Sequence, residues 1–172
     1  IRRPRVGFFF PPPRPPPGPA LNVEGGRARH KGLEFSINGR LADKWNILGG
    51  FSHMSAKQEK TTKGALDGIR VNGTSEWTAV LGLEYNPNEA WSILGRAIYT
   101  GKTPVMNEKI WAPGYTIFDL GVTHKTHFGK IPAELSLMVN NVFDKDYWQV
   151  SRGNQVYLSL PRTFSFTAKL HF

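Results

Sequence analysis

From about His30 to the last residue, apolar and polar side chains alternate with a period of two in seven separate runs. Leu33, Phe35 and Ile37 oppose Glu34, Ser36 and Asn38. Trp45, Ile47, Gly49 and Phe51 alternate with Asn46, Leu48, Gly50 and Ser52. Trp77, Ala79, Leu81, Leu83 and Tyr85 oppose Thr78, Gly82 and Glu84, with Val80 out of pattern. Trp91, Ile93, Gly95, Ala97 and Tyr99 oppose Ser92, Arg96 and Thr100. Phe118, Leu120 and Val122 oppose Asp119, Gly121 and Thr123, and Leu135, Leu137 and Val139 oppose Glu134, Ser136 and Asn140. The last run sets Phe164, Phe166, Ala168, Leu170 and Phe172 against Thr163, Ser165, Thr167, Lys169 and His171. Successive side chains of a strand point to opposite faces, so each run predicts a β-strand with one apolar and one polar side. At roughly 9–12 residues these runs exceed the usual globular strand of about 5–6 and suit a tilted crossing of a bilayer. The closing run is predicted to stay a strand to its final aromatic. An exposed amphipathic edge of that kind invites aggregation in water, whereas a closed barrel pairs the edge and lipid covers its apolar face.

The links between the runs alternate too. Leu41–Lys44, Asn86–Glu89 and Thr126–Ile131 are short; Gln58–Thr74, Lys102–Pro113 and Asp144–Leu160 are long. Outer-membrane barrels have short periplasmic turns and longer external loops. Counting back from a periplasmic C-terminus puts every long link on the external side. Trp45, Tyr85, Trp91 and Phe172 fall beside short links, and Trp77 and Tyr99 fall toward the opposite ends. Such placement predicts two interfacial aromatic girdles; the other reading is the aromatic core of a soluble barrel or sandwich. The expected fold is all-β: an antiparallel up-and-down transmembrane β-barrel segment of about seven strands.

Composition modifies this picture little. The chain has 172 residues, room for one ordinary domain, and 40% apolar residues, with a negative mean hydropathy. Barrel strands escape such averages because every second residue is polar. No apolar run approaches the ~18 residues of a transmembrane helix. Residues 1–22 differ from the rest: Pro11 to Pro19 is almost all proline, favours polyproline II and cannot donate ladder hydrogen bonds. They are expected to form a proline-rich irregular or disordered segment, with the barrel strands in 23–172. Arg2, Arg3 and Arg5 resemble the basic start of a signal peptide, but only Val6–Phe10 separates them from the prolines. A secretory signal is therefore expected upstream.

The absence of cysteine excludes a disulfide framework and thiolate metal sites. The formal net charge is +9, but the excess is concentrated early, where Arg2, Arg3, Arg5, Arg14, Arg27 and Arg29 face only Glu24. The remainder mixes signs with no basic stripe, which argues against nucleic acid as a partner. Gly101-Lys102-Thr103 looks like the end of a phosphate loop, but Arg96 stands where that motif needs glycine. His124 and His127 fall on opposite strand faces and no carboxylate cluster accompanies them, so no metal site is expected. Asn72-Gly73-Thr74 is a formal glycosylation sequon that carries no functional information here. No Ser/His/Asp grouping carries motif support. The expectation is a protein that is not an enzyme and holds no cofactor.

Asn140 to Trp148, N-N-V-F-D-K-D-Y-W, followed by Leu160-Pro161-Arg162-Thr163 before the last strand, resembles the end of TonB-dependent outer-membrane receptors of the ferric-siderophore type. Arg29-His30-Lys31-Gly32-Leu33-Glu34-Phe35 is similar to another strand of that family, and Pro113 to Leu120 to a third. The resemblance covers roughly residues 22–172. It implies a bacterial outer-membrane location and a barrel of about twenty-two strands around an N-terminal plug, of which this chain would supply the last seven. It implies a ferric siderophore as transported ligand and energy from the TonB–ExbB–ExbD complex through the plug-bearing part. It also implies outer-membrane lipid around the wall, and a barrel-assembly machinery that reads Phe172 as its signal. Iron–siderophore complexes are often anionic and partly aromatic, so Trp111, Tyr147, Trp148 and Arg152 are the loop residues expected to touch ligand. The N-V-F-D-K-D-Y-W run itself is expected to shape the rim, with Asp144 and Asp146 bonding nearby amides, Phe143 facing lipid, and Tyr147 and Trp148 at the loop base.

Two other arrangements stay open on the residues. One is a small complete eight-stranded barrel with a structural or adhesion role, if residues 4–24 add a strand, which their prolines oppose. The other is a soluble lipocalin-like binder with its apolar side chains turned inward.

Overall fold

The computed structural model describes residues 26–151 and 155–172; the proline-rich segment read at 1–22 and the candidate Arg152 lie outside them. Among the described residues eleven strands occur in chain order: β1 (Arg27–Ala42), β2 (Trp45–Glu59), β3 (Trp77–Asn88), β4 (Trp91–Thr100), β5 (Thr103–Val105), β6 (Ile110–Ala112), β7 (Tyr115–Phe128), β8 (Ile131–Asn140), β9 (Trp148–Val150), β10 (Val156–Leu158) and β11 (Thr163–Leu170). Seven form one sheet in the order β1-β2-β3-β4-β7-β8-β11, so every strand pairs with its nearest sheet neighbour in sequence. All the pairings are antiparallel. Asp43-Lys44, Glu89-Ala90 and Gly129-Lys130 turn the chain at one end, with Gly129 at φ +64°, where a side chain would be strained. Residues 60–76, 101–114, 141–151 and 155–162 lie at the other end.

The register turns the alternation into two faces. On one face Phe35 lies opposite Phe51, Ile47 opposite Leu83, Leu81 opposite Ala97, Gly95 opposite Leu120, Val122 opposite Leu137, and Leu137 opposite Phe166. Leu33, Phe35, Leu81, Leu120, Leu137, Phe164 and Phe166 are all exposed there, a continuous apolar sheet far larger than water tolerates on a monomer. The other face carries Asn46, Glu84, Arg96, Asp119, Thr123, Ser136 and Lys169. This face is concave. A hollow of about 400 Å³ is lined by Glu34, Ser36, Ser52, Val80 and Thr100, and a second, of about 540 Å³ at the turn end, by Arg40, Asn46 and Lys125. A lipocalin-like sheet would curve the opposite way, with its apolar side chains inside the hollow. Val80, which breaks the alternation, sits on the concave face between Gly50 and Ile98, and Ile98 lies opposite Ile117. The exception is thus part of an apolar row across three strands.

The sheet departs from the sequence reading in three places. β1 starts at Arg27, ahead of the run at Leu33. β11 stops at Leu170, two residues before the predicted end. There His171 N donates to Pro132 O at 3.0 Å, but Pro132 has no N–H to return a bond, so the ladder closes. Finally, two of the long links contain hairpins, β5–β6 and β9–β10. Pro87 falls at the register shift between Tyr85 and Asn88, a bulge position where a missing donor does no harm.

Candidate functional site

The rim where β7 and β8 reach the last long loop is centred on one buried carboxylate. Asp119 is 4% exposed. Its Oδ2 accepts from Arg96 Nη2 at 2.7 Å and Nε at 3.0 Å, and its Oδ1 accepts from the Asn141 backbone N–H at 2.9 Å. Asn141 has φ 53°; its Nδ2 donates to Lys145 O at 2.9 Å and its Oδ1 accepts from Lys145 N at 2.9 Å, a side-chain clasp around the turn. Asp144 Oδ1 accepts from Arg162 N at 2.7 Å, and Arg162 Nη1 donates to Val142 O at 3.3 Å. The F-D-L, N-N-V-F-D and P-R segments, far apart in sequence, thus meet as one bonded unit. Phe143 stands edge-on to Phe118 with ring centroids 5.4 Å apart, on the apolar face.

The long loops bind one another above this rim. Gly73 N donates to Pro104 O at 3.0 Å. Asn72 and Asn107 exchange two bonds: Asn107 N donates to Asn72 Oδ1 at 2.8 Å, and Asn72 Nδ2 donates to Asn107 Oδ1 at 3.1 Å. Arg70 pairs with Glu76 at 2.6 Å and Glu108 at 3.3 Å. The Trp111 ring, half-buried in β6, has Lys102 Nζ 4.7 Å and the Arg70 guanidinium 5.5 Å from its centroid. Tyr147 stacks on Tyr115 at 4.0 Å; burial, and next the neighbouring Tyr115, push its phenol above the ordinary value. Trp148, in β9, lies opposite Leu158 and stays half-exposed. β6 and β9 touch, which brings the Trp111 and Trp148 strands together. Below the loops a hollow of about 960 Å³ opens over the concave face, lined by His30, Met54, Gln58, Asn72, Ser75 and Thr78. Among the described residues no group of three His, Asp or Glu side chains is placed to hold a metal.

The other predicted aromatics occupy the apolar face near its two ends. Trp45 and Tyr85 are in contact at 4.7 Å, and Trp91 stacks on His124 at 4.2 Å, both at the turn end. Trp77 stacks on His53 at 4.1 Å at the loop end, where Tyr99 is also exposed. Phe172 lies beyond β11 and is 99% exposed.

Residues 6–142 match the family described as TonB dependent receptor-like, beta-barrel. The chain belongs to that family. It is therefore part of a receptor β-barrel of the outer membrane. The receptor segment is 27% identical to the catecholate siderophore receptor Fiu of Escherichia coli strain K12, over 86% of this chain and 20% of the relative. It is 25% identical to the probable TonB-dependent siderophore receptor PiuA of Acinetobacter baumannii, over 76% of this chain and 19% of the relative. The solved structure of BauA, the ferric preacinetobactin receptor from Acinetobacter baumannii, superposes with a TM-score of 0.78 at 25% identity, covering 86% of this chain and 23% of that one. The chain thus spans about a fifth of the length of the curated relatives it matches.

Sequence reasoning singled out Trp111, Tyr147 and Trp148, and in the receptor segment all three lie in the long-loop region. It missed their partners Arg70, Lys102 and Tyr115, which sit in or beside links with no periodicity to read. It also missed the Arg96–Asp119 pair, although the two residues occupy the polar positions of adjacent runs and a charge of each sign there is a legible signal.

Proposed function

We propose that this chain forms seven wall strands and three external loops of a receptor that takes up a ferric siderophore across the outer membrane, energised by the TonB–ExbB–ExbD complex through a plug-bearing part. The observation that carries this reading is the Trp111 ring under the Lys102 ammonium. Arg70 is occupied by two carboxylates, while Lys102 is exposed beside an aromatic face, a combination that attracts an anionic, partly aromatic chelate. The names of the relatives, Fiu and PiuA among them, favour the same ligand class. Tyr147, Trp148 and Arg152 are proposed as further ligand contacts. Trp45, Tyr85 and Trp91 are proposed as the periplasmic girdle, Trp77 and Tyr99 as the external one, and Phe172 as the residue read during barrel assembly.

The test uses the full-length receptor in proteoliposomes and measures ferric catecholate binding by fluorescence quenching. Trp111→Ala and Lys102→Gln are each expected to weaken binding about fivefold or more. Unchanged affinity in both variants, with the folded barrel retained, would remove the ligand site from this loop cluster.

A further inference from the structure

β1 and β2 are the longest strands of the sheet, at 16 and 15 residues, and a tilted strand needs only about 9–11 to cross a bilayer. Their extra length lies at the loop end, beyond the row formed by Leu33, His53 and Trp77. In that overhang the register places Lys31 opposite Ser55, Arg29 opposite Lys57 and Arg27 opposite Glu59. These positions share the face of Leu33, Phe35 and Phe51. So the surface that is apolar in the middle of the hairpin becomes basic directly above it. Arg27 and Arg29 both reach Glu59, at 3.3 and 3.1 Å; Lys31 and Lys57 are exposed and carry no ion pair among the described residues. Four cations thus face one carboxylate. Arg70, bridged to Lys57, is taken by Glu76 and Glu108 and bounds the patch on that side.

At about 3.3 Å per residue, Lys31 and Arg29 stand about 7 and 13 Å along the strand above Leu33. A tilt of about 40° makes that about 5–10 Å of height. The polar headgroup zone is about 5–8 Å deep on each side of the hydrocarbon. Lys31 therefore stands where lipid phosphates lie and Arg29 just above, within side-chain reach of them, on the surface that lipid already covers below.

We propose that Arg29, Lys31 and Lys57, with Arg27 and Glu59 behind them, form a binding site on the outer wall for the phosphates of an outer-leaflet lipid of the lipid A type. The exposed ammonium groups and the free guanidinium N–H groups donate to phosphate oxygens. The acyl chains lie down the apolar wall over Leu33, Phe35 and Phe51. The site rests on the outward placement of the long loops stated above but not on the identity of the transported ligand.

Full-length receptor stripped of lipid in neutral detergent is titrated with diphosphorylated lipid A and read by native mass spectrometry. Arg29→Gln, Lys31→Gln and Lys57→Gln combined are expected to weaken retention about tenfold or more, with heat-modifiable migration intact. Dephosphorylated lipid A is expected to bind the unaltered receptor no better than the variant binds lipid A. Raising the ionic strength is expected to strip lipid A from the unaltered receptor, a reading that needs no variant. Equal retention by the variant, or salt-independent retention, would overturn the site. Preference for phosphatidylglycerol over lipid A would overturn its outer-leaflet assignment. Because no siderophore is present, loss of ligand uptake in the receptor and loss of lipid binding are separately read.

Discussion

Asp119 shows what a single buried carboxylate can fasten. It closes the Arg96 side chain of β4 onto β7 and holds the Asn141 amide at the start of the last long loop. Replacing it by alanine leaves the Asn141 N–H without an acceptor and Arg96 without its partner. Asp119→Ala should cost about 2–3 kcal/mol in the assembled barrel, read as a lower urea midpoint, and Arg96→Gln should cost at least as much, because it leaves the buried Asp119 carboxylate without its cation. Asp67 works at a loop tip. Its Oδ1 accepts from both the backbone N–H and the hydroxyl of Thr61 at 2.8 Å, and these two bonds hold its carboxyl below the ordinary 3.8. A depressed carboxyl contributes fully above its unfolded value and loses that contribution as pH falls through the folded one. Loop 60–76 should therefore resist acid proteases down through the ordinary carboxylate range and open only below it. Asp67→Asn should abolish that pH dependence. The sequence marks Asp119 through its place in the F-D-L run; nothing local marks Asp67, whose partner is six residues away in an aperiodic link.

At the level of elements, alternation exposed every strand that alternates long enough to be counted. β5, β6, β9 and β10 have three residues each, too few to establish a period, and β5 contains Pro104. Their hairpins depend on loop-to-loop bonds such as Gly73 to Pro104, which no single-segment pattern contains. Glycine is legible only partly. A Cβ on Gly32, in the R-H-K-G-L-E-F run, would stand 2.3 Å from the His53 carbonyl oxygen and 3.1 Å from Met54 Cα, while one on Gly39 in the same strand would meet nothing within 4 Å. Gly32→Ala should therefore destabilise the β1–β2 ladder by about 1–3 kcal/mol. Gly39→Ala should be neutral or gain up to about 1 kcal/mol, because strand glycine is the costlier residue. Denaturation of the two variants side by side in lipid separates backbone approach from simple glycine removal.

For the whole molecule, the alternation, the loop rhythm and the aromatic placement each pointed to a membrane wall, and the sheet realises them on one curved surface. From Trp45 to His53 the apolar face of β2 runs about 26 Å along the strand, or about 20 Å of height at a tilt of about 40°. That fits an apolar band of about 25 Å once the flanking rings are counted. Within the described residues β1 and β11 each bond to one neighbour, and an unpaired edge in hydrocarbon is costly. The 172-residue chain folded alone into detergent should show no heat-modifiable migration, and a compact band on unheated gels would overturn this. The strand order has a further consequence in time. Each ladder joins sheet neighbours nearest in sequence, so contact order is low and no pairing waits on a distant partner. The turn-linked pairs β1–β2, β3–β4 and β7–β8 close over two residues, while joining one pair to the next closes the links 60–76 and 101–114, an added entropic cost of about 2 kcal/mol. Assembly therefore runs as hairpins forming first and then zipping edge to edge, and what limits its rate is the joining of hairpins across the long loops.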